Sequence, residues 1–206
     1  MPELKELITK LLRALAYARF DRHVNRLDYV SHGTLRLIDL SENPSPNSVP
    51  AVVAALDLIK RYAPRRYAGL NRRIGRILVA RIPGAHSSFM PAIRSIFIHT
   101  DIASQEPPES IAAQIIHEAA HARIWSCGYR RFDRPKRLER RANLEMLDFV
   151  SSLPDADYLI QWARTVLGRT DQADADFAQL AQAQKAELAN MMPSWVPNRL
   201  TKWLIT

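Results

Sequence analysis

The sequence predicts an α+β fold, and three observations carry that prediction. Apolar residues recur at helical spacing near both ends of the chain. A β-branched and aromatic-rich stretch lies between them, and Pro and Gly punctuate the joins. The 206 residues are 47% hydrophobic and 24% charged, the composition of a globular chain that buries its own core, which excludes a disordered or fibrous protein.

Element by element, Leu4, Leu7, Ile8, Leu11, Leu12 and Leu15 form one face of an opening helix. Residues Leu27–Leu40 read as a hairpin about a His32-Gly33 turn, with Tyr29, Leu35 and Leu37 alternating. The prolines of Ser41–Pro50 make that segment a loop, and a helix from about Val52 to Ala63 ends before Pro64. Arg76–Ile82 and Ser95–Thr100 are strand-like, giving two or three strands with Pro83, Gly84 and Pro91 between them. A long helix spans Pro108 to Trp125, with proline at its start and Gly128 beyond its end. A further helix runs from about Lys136 to Ser151. The Ala- and Gln-rich stretch Asp171–Asn190 is also helical in pattern, and Trp195 and Trp203 sit in an apolar tail that completes the core or covers a cleft. The expected organisation is a single domain over 1–206.

The one cysteine, Cys127, excludes an internal disulfide and any metal module that needs several cysteines. Together with the lack of an apolar run of membrane-spanning length and of a signal-peptide pattern, it suggests a soluble, cytoplasmic protein.

Chemistry concentrates in IIHEAAHARI. His117, Glu118 and His121 form H-E-x-x-H inside the long helix, so the two imidazoles share one face a turn apart and can reach a single metal ion. Glu118 beside them can then serve as general base toward a metal-activated water. Chance placement on a solvated face is the plainer reading of such a pattern. The helix, however, is apolar almost all round, and three ionisable groups on a buried helix are costly unless a cation pairs them.

A catalytic zinc takes a third protein ligand and keeps one position open. All six histidines lie at or before position 121. Ile124 and Cys127 stand where an H-E-x-x-H-x-x-G-x-x-H pattern would need glycine and histidine, so the third ligand falls to an acid. Of Asp133, Glu139, Glu145 and Asp148, Glu139 lies inside the apolar stripe of Leu138, Ala142, Met146, Phe149 and Val150, whereas Asp148 lies well outside it. Glu139 is the expected third ligand, with a core salt bridge to an arginine as its alternative role. Asn143, one turn on, can steady a ligand histidine through its other ring nitrogen.

H-E-x-x-H followed after 17 residues by E-x-x-A-N (Glu139 to Asn143) resembles the gluzincins, metallopeptidases whose third zinc ligand is a glutamate on a second helix. The E-x-x-A-N form, trailed by Met146, Leu147, Phe149 and Leu153-Pro154, is similar to that of ImmA/IrrE-type metallopeptidases, and the size suits the minigluzincins. The likeness covers about Ser95 to Pro154. It implies a zincin-like fold with a small mixed sheet and active-site helix in an upper part over about 1–127, and a mostly helical lower part over about 128–206. It also implies Zn2+ held by His117, His121 and Glu139, Glu118 as general base, Asn143 behind the ligands, and a protein or peptide substrate that pairs with the strand Ser95–His99. Tyr129, Tyr158, Arg123 and His99 are the candidates for stabilising the oxyanion, with no spacing that singles one out.

Charge is the remaining signal. Lys and Arg number 29 against 21 Asp and Glu, a net +8. Lys60–Arg76 holds seven basic residues and no acid, and Arg130–Arg141 holds seven basic and two acidic ones. These stretches are either solvated faces or a weak nucleic-acid-associating surface. The alternative to a zinc endopeptidase is therefore a non-catalytic zincin scaffold, regulatory or DNA-associated, with a structural zinc.

Overall fold

The computed structural model describes residues 14–82, 85–128 and 135–172. By internal contacts the chain divides into two compact units, Asp28–Asp174, and Met1–Leu27 with Ala175–Thr206. In the latter, the described residues are a helix, α1, over 14–24 and the turn after it. The tail with Trp195 and Trp203 and most of Asp171–Asn190 lie outside the described residues. The sheet and the candidate site belong to Asp28–Asp174.

That unit opens with the expected hairpin. Strand β1 (Val30–His32) pairs antiparallel with β2 (Leu35–Asp39), His32 opposite Leu35. The two-residue turn is therefore Gly33-Thr34, one position later than the sequence suggests. Gly33 adopts φ +62, where an L side chain is strained. Leu35 and Leu37 point into the core and Arg36 out of it.

Helix α2 (Ser48–Tyr62) begins earlier than expected. Pro50 falls in its first turn, where an N–H has no intrahelical acceptor to lose. Pro64 does not end the helical region but opens α3 (Pro64–Arg73). That helix buries only Gly69 and Leu70, too small an apolar face to show as a period.

Three strands occupy the central stretch: β3 (Arg76–Ala80), β4 (Ser87–Met90) and β5 (Ser95–His99). A 3-10 turn over Pro91–Ile93 and Arg94 at φ 50 reverse the chain between β4 and β5. The Arg94 guanidinium offsets that strain by donating to the carbonyls of Arg72 at 2.7 Å and Arg73 at 2.9 Å, which the end of α3 leaves unsatisfied. The sheet order is β1-β2-β3-β5-β4. β2, β3 and β5 are parallel, while β1 and β4 run antiparallel at the two edges.

His99 caps α4 (Thr100–Gln105), its Nδ1 accepting from the Asp101 amide at 3.1 Å. The long helix α5 (Pro108–Ser126) follows, then α6 (Pro135–Val150) and α7 (Asp157–Gln172). α5 packs against α2, α3, α6 and the β4–β5 edge of the sheet. One hydrophobic core joins Ile77, Val79, Ile96 and Ile98 of the sheet to Ile111 and Ile115 of α5, and continues through Met146, Phe149 and Val150 of α6 to Leu159 of α7. Among the described residues no helix is long and apolar enough to cross a membrane.

Candidate metal centre

The site lies where α5 passes α6. α5 is buried round most of its circumference, so its polar residues stand out. His117 and His121 are four residues apart and turn toward α6, where Glu139 faces them. The apolar stripe of α6 is seated on the core through Ala142, Met146, Phe149 and Val150, and this seating fixes the rotation of α6 and aims Glu139 at α5.

One ligand-capable atom from each of His117, His121 and Glu139 lies within 4.8 Å of the others, a group that could hold a metal ion. The Nε2 atoms of the two histidines are 3.1 Å apart. The Glu139 carboxylate bridges them, Oε2 at 3.3 Å from His117 Nε2 and Oε1 at 3.2 Å from His121 Nε2. Donors about 2.0–2.1 Å from a tetrahedral zinc lie about 3.3 Å from one another, so the spacing suits that ion. The donor set, two imidazoles and a carboxylate, suits it as well. All three side chains are partly exposed, His117 at 17%, His121 at 19% and Glu139 at 30%, so the cluster opens to solvent on one side.

Electrostatics favour positive charge here. Burial disfavours a charged His117. The hydrogen bond with Glu139, the charges of Glu118 and Glu139, and a hydrogen bond with Asn143 outweigh it, and the His117 pKa sits above its ordinary value. Burial alone would likewise raise the Glu139 carboxyl, but hydrogen bonds from His117 and His121 and their charges hold it well below the usual carboxylate range. Asn143 is 2% exposed and contributes to the raised pKa of His117.

Glu118 is 5% exposed and accepts a hydrogen bond from Ser87 Oγ at 2.7 Å. Sequence reasoning missed Ser87, because β4 is a short strand whose pairing with β5 is long-range and carries no local mark. The structure also corrects the strand expected to receive substrate. β5, Ser95–His99, lies inside the sheet with β3 on one side and β4 on the other, so its backbone groups are engaged by neighbours. Among the described residues the edge on the site's side is β4, which pairs with β5 alone.

The other candidates separate from the cluster. Glu145 pairs with Arg123, and Asp148 with Arg66 at 2.6 Å. Arg123 is thereby drawn to another face of α5, and its pKa is lowered first by burial and then by the like charges of Arg141, Arg73 and Arg66. His99 is engaged as the α4 cap. Tyr158 is 56% exposed, and its pKa is raised by burial and by Glu109 and Glu106, at the far end of α5 from His121. Cys127 is an exposed free thiol at the end of α5 and is not part of the triad. Asp133 and Tyr129 lie outside the described residues. No family model matches the chain, and no curated protein or solved structure matches it either.

Proposed function

We propose that the chain is a zinc-dependent metallopeptidase of the gluzincin type, an endopeptidase that holds Zn2+ with His117, His121 and Glu139. The carrying observation is the triad's spacing on two helices, with a deeply buried carboxylate, Glu118, adjacent in sequence to a ligand. When bound, zinc would supply Lewis-acid polarisation of the scissile carbonyl and acidify an attacking water. Glu118 takes the proton from that water and passes it to the leaving amine, and Ser87 keeps one of its oxygens in place. Asn143 holds the His117 ring. The free side of β4 receives an extended peptide by backbone pairing. A structural zinc site has no use for a buried carboxylate beside its ligands, and burying one is costly, so Glu118 favours hydrolysis over the scaffold reading.

Metal analysis and a peptide-hydrolysis assay test this together. One zinc per chain is expected, lost in Glu139→Gln and retained in Glu145→Gln. Glu118→Gln is expected to keep zinc and fold while losing cleavage. Cleavage that survives Glu118→Gln unchanged would overturn the assignment.

A further inference from the structure

The described parts of the two Arg-rich stretches, separate in sequence, meet in space on α3 and α6. Arg65, Arg66, Arg72 and Arg73 of α3 line a cleft of about 440 Å³ whose floor is Ile116, Ala119 and Ala120 of α5, with Arg123 beside them. Arg137, Arg140 and Arg141 of α6 line an adjoining cleft of about 540 Å³. Arg66 and Glu145 belong to both clefts, so the two form one groove along α3, α5 and α6. Among the described residues its acidic lining is Glu145 and Asp148, which are already paired with Arg123 and Arg66. The groove therefore presents a large surplus of guanidinium charge, brought to one place by the fold.

Its location is independent of the metal centre. At about 100° per residue, Ile116, Ala119, Ala120 and Arg123 centre roughly 130° around α5 from His117 and His121. On α6, Arg137, Arg140 and Arg141 similarly face away from Glu139 and Asn143.

The chemistry of the lining selects the ligand. Guanidinium groups bind phosphate oxygens in bidentate fashion and keep their charge at any physiological pH. Among the described residues no aromatic side chain lines either cleft, so the described lining offers no platform on which unpaired bases could stack. We propose that this groove binds the phosphodiester backbone of double-stranded nucleic acid, without reading its sequence. A duplex carries one negative charge per about 1.7 Å of axis, about twice the linear density of a single strand, and so suits a surface that recognises charge alone.

Fluorescence anisotropy of the full chain with a short labelled DNA duplex tests the proposal. The comparison ligands are the same oligonucleotide as a single strand and vesicles of phosphatidylserine. The expected result is duplex binding that is insensitive to sequence, at least as tight as single-strand binding, and steeply weakened between about 50 and 200 mM salt. The double variant Arg65→Glu/Arg72→Glu should weaken duplex binding about tenfold or more and lower the salt slope by about two. The milder Arg65→Gln/Arg72→Gln should act in the same direction if the charge reversal disturbs folding. Arg36→Glu/Arg164→Glu, which changes net charge equally at exposed arginines away from the groove, should leave affinity within about twofold. Groove variants should retain wild-type zinc content, so failure here leaves the metal-centre reading standing. Four outcomes would each overturn the groove: no duplex binding at low salt, tighter binding of the single strand, binding of vesicles alone, or an equal loss in the control variant.

Discussion

Glu118 and Glu139 show how neighbouring carboxylates acquire different chemistry from their surroundings. Glu139 is partly exposed and embraced by two imidazoles, which hold it ionised. Glu118 is nearly sealed from solvent and held by the Ser87 hydroxyl. On the proposed reading of Glu118 as general base, Glu118→Gln should lower peptide hydrolysis by about 10²–10⁴-fold with zinc content unchanged. If Asn143 holds the His117 ring as proposed, Asn143→Ala should weaken zinc affinity by about 10–100-fold, measured by competition with a chromogenic chelator. The triad also sets a pH dependence. His117 is raised above its ordinary 6.5, so its stabilisation of the metal-free protein is complete below that pH and fades as pH rises through the raised value. Glu139 is lowered below its ordinary 4.5, so its contribution is present above that pH and fades only as pH falls through the depressed value. Metal-free protein thus gains most from the triad between these limits, whereas zinc needs deprotonated imidazoles and gains as pH rises. The rise in Tm on adding zinc should therefore be larger at about pH 8 than at about pH 6, and thermal melts showing the reverse order would contradict the assigned ligands.

Elements differ in how far their sequences announce them. α5 was legible because its apolar pattern, opening prolines and trailing Gly128 agree, and the H-E-x-x-H spacing needs nothing beyond one helix. α6 was legible through its stripe, and Phe149, fully buried within that stripe, anchors it to the core. Phe149→Ala should cost about 3–5 kcal/mol in chemical denaturation and weaken zinc binding as well, because Glu139 is aimed by the same packing. α3 and α4 were not legible, one for its small apolar face and the other for its brevity. β4 was hidden for a different reason: its place at the sheet edge depends on pairing with β5 across a reversal that Arg94 stabilises. The hairpin turn shifted by one residue because Gly33, rather than His32, carries the positive φ. A Cβ at Gly33 would meet Asn71 Oδ1 at 2.6 Å and Tyr67 Oη at 2.7 Å. Gly33→Ala should therefore destabilise the fold by about 1–3 kcal/mol, read as a lower denaturation midpoint.

Across the molecule, the triad ties α5 to α6, two helices joined in sequence through residues 129–134. A metal bound at about one hundred times its Kd adds about 2.7 kcal/mol, so chelation should lower Tm by about 5–10 °C in a scan with and without EDTA. Charge is distributed on the same scale. Residues 1–150 hold 24 basic and 15 acidic side chains, whereas 151–206 hold five and six, so the positive excess belongs to the part with the sheet and the triad. The sequence by itself determined the α+β class, the long apolar helix, the pair of histidines on one face and the phase of Glu139. Each of these depends on residues within a few turns of one another, where periodicity is written directly into the chain. Only the tertiary structure decided that β4 is the sheet edge among the described residues, that Ser87 holds Glu118, that Arg123 is turned away with Glu145, and that arginines of α3 and α6 share one groove. These depend on which strands pair and which helix faces meet, contacts between residues far apart in sequence that no local pattern encodes.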